Sequence, residues 1–237
     1  MQQDFHYPLI YKFVPMNIAI LGNGKMGKRI SELATNRGHT IIAISSSTTP
    51  AKTLDISTAD VAIDFSTPTT AFDNISHAII SGIPVISGTT AWLSKLQEAN
   101  DLCLQKGGAF LYASNFSIGV NIFFELNKKL AKLMKEHNYA NKIHEIHHKQ
   151  KLDAPSGTAI TIAKQMDSIL NTKTPITSER LAKVPGTHKI TYSSEVDKIE
   201  IKHTAKNRDG FVMGAIIAAE WIIGKKGVFS IKDILEQ

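Results

Sequence analysis

The sequence predicts an α/β protein, with a Rossmann-type dinucleotide-binding domain and a smaller α+β domain that has a mixed sheet. Three observations lead to this prediction. Short apolar runs alternate with helix-length segments between Asn17 and Ala113, as in βαβ units that place helices on both faces of a parallel sheet. A glycine-rich turn follows the first run. After Ser114 a long amphipathic helix, a strand, a second helix and a hairpin replace the regular alternation.

The elements follow one another along the chain. In the first domain, strands are predicted at 17–21, 40–44, 61–65, 84–86 and 109–113, and helices at 26–37, 70–81 and 93–106. In the second part, helices are predicted at 118–136 and 157–170, and strands at 142–148, 188–193 and 198–204. The segment 172–185 contains two prolines and several polar residues, so it is predicted to be an exposed loop.

A final helix at 213–223 is expected to return to the first domain, followed by a turn and a short tail. The predicted bounds are therefore 16–117 with 209–237 for the dinucleotide-binding domain, and 118–208 for the smaller domain. Residues 1–15 are interpreted as an N-terminal extension. They contain one cation, Lys12, and lack the small-residue cleavage site of a signal peptide.

Composition limits the class of protein. Of the 237 residues, 43% are hydrophobic and 20% charged, which excludes a disordered or fibrous chain. The single cysteine, Cys103, cannot form an internal disulfide, so a reducing compartment such as the cytoplasm is expected and a Cys-rich zinc module is excluded. No uncharged apolar run approaches the roughly 18–20 residues of a membrane span. The net charge of +6 favours an anionic partner.

The glycine-rich turn has the pattern G-x-G-x-x-G between a predicted strand and a predicted helix. In this pattern Gly22 permits the tight turn, Gly24 lets the backbone approach a pyrophosphate, and Gly27 lets the helix pack on the strand. The phosphates would bind N–H groups at the positive end of the helix. The cofactor-binding residues predicted here are Gly22, Asn23, Gly24, Lys25, Met26 and Gly27. A plain glycine turn is the alternative.

Hydroxyl side chains follow the second predicted strand, over Ser45–Thr49. An NAD-selective site usually has an acidic residue here, which binds the ribose 2′-OH. Ser46, with Lys52 nearby, would bind the 2′-phosphate of NADPH better than an acidic side chain would, because a carboxylate repels the phosphate. NADPH is therefore predicted to be at least tolerated beside NADH. A loop that is merely polar is the alternative.

Three histidines lie close together in the next informative segment, at His144, His147 and His148. On a strand, the first and third share one face and His147 lies on the other. The spacing H-E-x-H-H differs from the helical H-E-x-x-H of zinc proteases, and no cysteine is near, so no metal site is predicted. Ordinary surface or core histidines are the alternative to a functional cluster.

An anion site is predicted immediately after these histidines. The turn Asp153–Thr158 leads into a helix, whose first N–H groups and Thr158 hydroxyl suit a carboxylate. Lys151 adds a positive charge. A neighbouring histidine titrates near neutrality and can give or take a proton.

These residues resemble a known signature. The string EIHHKQKLDAPSGTA, residues 145–159, is similar to the E-x-H-H-x-x-K-x-D-A-P-S-G-T-A signature of the 4-hydroxy-tetrahydrodipicolinate reductase family, with every fixed position present. Further blocks of the family occur in order at 64–68, 88–90, 113–121 and 203–215. The resemblance runs from Met16 to the C-terminus.

The resemblance implies a reaction and a cofactor. The substrate would be 4-hydroxy-tetrahydrodipicolinate, a cyclic dicarboxylate with a conjugated imine, reduced to tetrahydrodipicolinate in lysine and diaminopimelate biosynthesis. NADPH or NADH would supply the hydride. Members are usually homotetramers built through the sheet of the smaller domain. The family often has an acidic residue where Ser45–Thr49 stand here.

The resemblance also assigns residues. His147 would be the general acid/base, and Lys151 would stabilise charge near the imine nitrogen. The implied substrate contacts are His148, Gly157, Thr158 and Arg208. The residues implied to line the nicotinamide pocket are Gly88, Thr89, Thr90, Ser114, Asn115 and Phe116.

Other functions predict different features. A dinucleotide-binding sensor would need the glycine turn but not the His-His-Lys block. A different small-molecule dehydrogenase would lack the D-A-P-S-G-T string. Nucleic-acid binding would need basic residues interleaved with stacking aromatics, and the lysine-rich stretch from Lys128 to Lys151 has only Tyr139 besides its histidines.

Overall fold

The computed structural model describes residues 14–182 and 184–236. The extension expected at 1–15 therefore lies outside the described residues, apart from its last two. The chain divides into two compact units. The first runs to Ser114 and resumes over Ile216–Phe229, and the second covers Asn115–Ala215 and resumes at Ser230.

The first unit begins with five strands and three helices, which match the predicted elements closely. The strands are β1 (Asn17–Leu21), β2 (Thr40–Ser45), β3 (Val61–Asp64), β4 (Val85–Ser87) and β5 (Ala109–Tyr112). The helices are α1 (Lys25–Asn36), α2 (Ala71–Ile80) and α3 (Leu96–Lys106), the last preceded by a short 3-10 turn. β1 is fully buried from Ile18 to Leu21, so it forms the centre of the core, as expected for a strand covered on both faces.

The second unit contains two long helices and four strands. In chain order these are α4 (Ile118–Met134), β6 (Ala140–His148), α5 (Gly157–Leu170), β7 (Ile176–Leu181), β8 (Thr187–Ser193) and β9 (Lys198–Thr204). The sheet order is β7-β6-β8-β9, with β6 and β7 parallel and the other pairs antiparallel. The predicted mixed sheet is therefore confirmed.

The prediction of a loop over 172–185 is wrong, because this segment contains β7. The two prolines lie outside the strand rather than within it, so neither interrupts the hydrogen bonds to β6. β7 lies at the edge of the sheet, and its residues are exposed or half-buried. Its apolar alternation is weak for that reason.

Three elements complete the chain: α6 (Asp209–Ile222), β10 (Gly227–Phe229) and α7 (Ile231–Leu235). β10 joins the first sheet, whose order is β10-β5-β4-β3-β1-β2 with every pair parallel. The unit boundary falls inside α6, seven residues later than the expected position 209. Residues from Ser230 group with the second unit, unlike the prediction, because α7 packs on α4.

One face of the second sheet packs against α4 and α5. The core between them is formed by Phe123, Ala131, Met134, Ile143, Ala159, Ile162, Ala163, Met166, Ile190 and Tyr192. Alternate residues of a strand share a face, so Glu145 and His147 lie on the same covered side of β6 as Ile143. No helix among residues 14–182 and 184–236 is both long and apolar enough to cross a membrane.

Candidate active site

A buried carboxylate lies at the centre of a polar cluster in the second unit. Glu145 of β6 is 0% exposed. Its Oε1 accepts a hydrogen bond from Arg180 Nη2 at 2.9 Å and another from the backbone N–H of Ser156 at 3.2 Å. Its Oε2 lies 2.7 Å from Nδ1 of His147 and 3.9 Å from Nε2 of His188. The carboxylate thus joins two histidines, an arginine and a helix terminus.

Strand register brings these side chains together. In the parallel pair β6–β7, His147 lies beside Arg180, and in the antiparallel pair β6–β8, Glu145 lies opposite His188. Ser156 caps α5, since its Oγ accepts a hydrogen bond from the N–H of Ala159. The positive end of α5 therefore lies next to the carboxylate, where it stabilises a negative charge.

The pKa values follow from burial and from these contacts. Burial alone would raise the pKa of Glu145, but hydrogen bonds from Ser156 and Arg180 outweigh it and lower the pKa to about 2. Burial lowers the pKa of His147, while the charge of Glu145 opposes that effect. Burial, together with the charge of His147, lowers the pKa of His188 to about 4. At neutral pH Glu145 is therefore ionised and His188 is neutral.

The far edge of the His147 ring faces a glycine. Gly186 precedes β8 and has a φ of +155°, which favours glycine over other residues. A Cβ at this position would lie only 3.0 Å from Nε2 of His147. Any larger residue at Gly186 would therefore crowd the Nε2 edge of the ring, which is buried.

Lys151 and the start of α5 are engaged by an acidic side chain of the same loop. Nζ of Lys151 lies 2.8 Å from Oδ1 of Asp153. The hydrogen bond from Lys151 lowers the pKa of Asp153, and the Gly157 N–H contributes in the same direction. Lys151 and the N–H of Gly157, which are expected to bind a carboxylate of the substrate, thus bind the carboxylate of Asp153 in the structure.

Arg180 also fixes the backbone of this loop. Its guanidinium donates to the carbonyl oxygens of Asp153 at 2.5 Å and of Lys151 at 3.4 Å. One side chain therefore holds both the loop that carries Lys151 and the carboxylate beside His147.

The remaining predicted substrate contacts lie around this cluster or beyond it. His148 ends β6 on the face opposite His147, and Thr158 follows Gly157 in the first turn of α5. Arg208 is exposed in the loop between β9 and α6.

A metal ion is one possible occupant of the cluster. Ligand atoms of Glu145, His147 and His188 lie within 4.8 Å of one another, a different set from the three histidines considered in the sequence. The guanidinium of Arg180, however, bonds the same carboxylate and would repel a cation. An ion-paired histidine therefore accounts for this geometry better than a metal centre.

The glycine turn of the first unit provides space for a pyrophosphate. A Cβ at Gly22 would lie 2.3 Å from the carbonyl oxygen of Phe65, and one at Gly27 would lie 1.8 Å from the carbonyl oxygen of Gly22, so both positions require glycine. A Cβ at Gly24, in contrast, would meet no atom within 4 Å. Gly24 precedes α1, and it has no side chain that could cap the first N–H groups of the helix. These features fit a dinucleotide.

Asn23, Lys25 and Met26 lie in the same turn and the first residues of α1. Ser46 follows β2, where its Oγ accepts hydrogen bonds from the N–H groups of Thr48 and Thr49. The predicted hydroxyl-rich segment therefore forms a compact turn, and Lys52 lies in the 3-10 turn that follows it.

A second buried carboxylate holds the loop after β4. Asp64 is 0% exposed and accepts hydrogen bonds from four side chains, those of Ser66, Asn74, Ser87 and Thr89. Burial raises the pKa of Asp64, and these hydrogen bonds act in the opposite direction. Thr89 also accepts from the N–H of Ser66, which ties the ends of β3 and β4 together. Gly88, Thr89 and Thr90 are thereby fixed at the carboxyl end of the sheet.

The segment Ser114–Phe116 begins just after β5 and crosses the unit boundary. The carbonyl oxygen of Asn115 accepts from Asn121 Nδ2, and its side chain accepts from the N–H of Ser117. Phe116 is buried, and Gly214 makes room for its carbonyl oxygen, since a Cβ there would lie 1.7 Å away.

Sequence reasoning gave no role to Glu145, Arg180, Gly186 or His188. Glu145 and His188 are on predicted strands, and the alternation of β6 places Glu145 on the His147 face. That alternation is a signal available from the sequence. Arg180 could not be found, because the segment that contains it was interpreted as a loop.

Comparison with known proteins gives matches over most of the chain. The model described as "Dihydrodipicolinate reductase, N-terminus" matches residues 16–116, and the one described as "Dihydrodipicolinate reductase, C-terminus" matches residues 119–235. A 4-hydroxy-tetrahydrodipicolinate reductase of Christiangramia forsetii is 48% identical over 233 residues, covering 93% of this chain and 98% of the relative. One of Thermosipho africanus is 37% identical and covers 94% of this chain and 99% of the relative.

Among solved structures, a dipicolinate-bound dihydrodipicolinate reductase from Paenisporosarcina sp. TG-14 has the same fold. The TM-score is 0.76 at 24% identity, with 93% of this chain and 100% of that chain covered. The comparison supports both units of the fold.

Replacing Arg180 with methionine tests the electrostatics of the cluster. Arg180→Met leaves the buried Glu145 carboxylate without its cationic partner, so we expect a loss of about 3–5 kcal/mol in the free energy of unfolding at pH 7. Urea unfolding measures the loss. The loss in the free energy of unfolding should be smaller in the double variant Arg180→Met/Glu145→Gln, because the second substitution removes the unpaired buried charge.

Arg29→Met is the matched control. Arg29 pairs with Glu32 on the surface of α1, and such a pair contributes little, so a change within about 1 kcal/mol is expected. Equal losses in Arg29→Met and Arg180→Met would contradict the central role of Arg180.

Proposed function

The chain belongs to the dihydrodipicolinate reductase family, and we propose that His147 is the proton donor in its reduction of 4-hydroxy-tetrahydrodipicolinate to tetrahydrodipicolinate. The observation that carries this assignment is the contact between His147 Nδ1 and the buried carboxylate of Glu145, which leaves Nε2 as the ring nitrogen not paired with an acid. The reaction belongs to lysine and diaminopimelate biosynthesis.

The overall change defines what the protein must supply. Replacing the 4-hydroxyl by hydrogen takes up one hydride and one proton and releases water. A reduced nicotinamide dinucleotide, when bound, supplies the hydride. His147 holds the proton at Nε2 and gives it to the substrate, and the imidazole then takes a proton back from solvent. The general acid is thus assigned to Nε2 of His147.

The carboxylates of the substrate need cations and N–H donors. Lys151 and the start of α5, with Gly157 and Thr158, form one such site, and Asp153 occupies part of it in the structure. Binding of the substrate would exchange its carboxylate for that of Asp153. His148 and Arg208 are assigned as further substrate contacts on the strength of the matching signature.

Dinucleotide binding is assigned to the first unit. The open space at Gly24 and the uncapped start of α1 support a pyrophosphate site over Gly22–Gly27. The loop Gly88–Thr90, fixed by Asp64, and the segment Ser114–Phe116 are assigned to the nicotinamide. Ser46 is assigned to the adenosine ribose, where the hydroxyl-rich turn admits a 2′-phosphate, so both NADPH and NADH are accepted.

A homotetramer is proposed through the sheet of the second unit. Its helix-free face carries Lys142, Lys189 and Glu200, and no described helix covers it. A sheet with one face left open offers a surface that a second copy can cover.

Removing the proton donor tests the central assignment. His147→Gln should lower kcat by about 10²–10⁴-fold with a modest change in KM, the range for loss of a general acid. Steady-state rates with substrate generated in place measure both constants. His144→Gln, on the opposite face of β6, is the control and should keep near-normal kcat. Near-normal turnover in His147→Gln would refute the proton donor.

Cofactor preference is tested at Ser46. Wild type is expected to use NADPH with a kcat/KM no more than about tenfold below that for NADH. Ser46→Asp should lower kcat/KM for NADPH by about tenfold or more, because the carboxylate repels the 2′-phosphate, and should leave NADH nearly unchanged. NADH is thus the internal control. A wild-type preference for NADH of tenfold or more would contradict the assignment.

The assembly is tested by light scattering. A mass of about four times the 26.0 kDa chain is expected. Lys142→Glu, at an exposed position of the uncovered face, should reduce it, whereas Lys164→Glu, exposed on α5, should not. A wild-type mass of one or two chains would rule out the tetramer.

A further inference from the structure

We propose that Glu145 is a positioning residue for His147, keeping a proton on Nδ1 so that Nε2 is the nitrogen that delivers the transferable proton. The inference rests on the proposed function, in which His147 is the proton donor. It assigns to Glu145 a role in the chemical step, separate from its contribution to folding.

The neighbours of the His147 ring decide which of its nitrogens carries hydrogen. Oε2 of Glu145 lies 2.7 Å from Nδ1 of His147. The carboxylate is ionised, because Arg180 and the N–H of Ser156 both donate to its other oxygen. The contact does not have the geometry of a hydrogen bond, so it is a close charge contact, in which an ionised carboxylate repels a lone pair on Nδ1 and attracts an N–H group. The neutral His147 ring therefore keeps its hydrogen on Nδ1.

Contacts on both sides fix the orientation of the His147 ring. The His188 ring packs against that of His147 edge to face, with centroids 5.1 Å apart and an interplanar angle of 69°. Gly186 is on the other side, so close to Nε2 that even a methyl group would touch it. With Nδ1 held by Glu145, these contacts keep Nε2 in one place.

The charges around His147 set how readily its ring is protonated. The charged and titratable groups that face His147 come from three strands and one loop, and they are Glu145, Lys151, Arg180 and His188. Lys151 and Arg180 lower the pKa of His147, and burial lowers it further. Glu145 raises the pKa. The imidazolium form that must exist before proton transfer thus depends on the charge of Glu145.

The proton balance is simple. The imidazolium carries hydrogen on both nitrogens. Its Nε2–H bond breaks, and the proton bonds to the substrate. The ring is left neutral, with Nδ1–H still beside the Glu145 carboxylate, and a solvent proton restores Nε2–H. Glu145 stays ionised throughout, and no electrons move on the protein.

Glu145→Gln removes the charge with little change of shape. Its amide group can donate to Nδ1, which favours the wrong tautomer and no longer stabilises the imidazolium. We expect kcat to fall by about 10²–10⁴-fold, with KM within about threefold of wild type. The limb of the pH–kcat profile that reports protonated His147 should move to lower pH, since the variant loses the group that raises that pKa.

Glu179→Gln is the matched control. Glu179 lies on the neighbouring strand β7, where its side chain is 53% exposed and lies 3.5 Å from His144. The same chemical change there should leave kcat and the pH profile unaltered. A Glu145→Gln variant with wild-type kcat and pH profile would overturn the proposal.

A second measurement needs neither substrate nor the Glu145→Gln variant. In nitrogen-15 NMR of histidine-labelled wild type, with His147→Gln used for assignment, neutral His147 should show hydrogen on Nδ1. Hydrogen on Nε2 in the neutral ring overturns the proposal, even if Glu145→Gln fails to fold. If Nδ1 is protonated but the wild type does not reduce the substrate, the Glu145–His147 coupling stands and the proposed reaction falls.

Discussion

The second unit is organised by the need to neutralise one negative charge in its interior. A carboxylate removed from water costs several kcal/mol unless cations and hydrogen-bond donors replace the solvent. Glu145 obtains these from β7 through Arg180, from the start of α5 through Ser156, and from β6 itself through His147. Three elements must meet at one point for the charge to be tolerated, and that point is where the proposed chemistry takes place.

The first unit buries a carboxylate in a different way. Asp64 has four neutral donors around it and no arginine or lysine among its hydrogen-bond partners in the described chain. Its partners are on the loop after β3, on α2, on β4 and on the loop after β4, so it fixes the shape of the carboxyl edge of the sheet. Asp64 and Glu145 thus have different roles. One holds a backbone edge suited to a dinucleotide, and the other controls the charge of a neighbouring ring.

Most of the fold could be predicted from periodicity and turn residues. β1, β3, β4 and β5 are mostly buried runs, and α5 begins and ends where its capping residues place it. β7 and β10 were missed for physical reasons, since one is an exposed edge strand and the other has three residues. Within the site, the signature string located His147 and Lys151. Arg180 is brought beside them only by the pairing of β7 with β6, which local sequence does not encode.

The contact between Lys151 and Asp153 has a consequence for how the site handles its ligand. An arriving carboxylate does not meet a free cation there, because the ammonium group already has a counter-ion. The Coulomb energy of association is therefore a difference between two similar ion pairs, which is small compared with either one. Exchange of one carboxylate for another on Lys151 gains little energy for an arbitrary anion. The site therefore selects a ligand by how well its second carboxylate and its ring fit. The same exchange favours release of the product, since the Asp153 carboxylate can replace the product's carboxylate on Lys151.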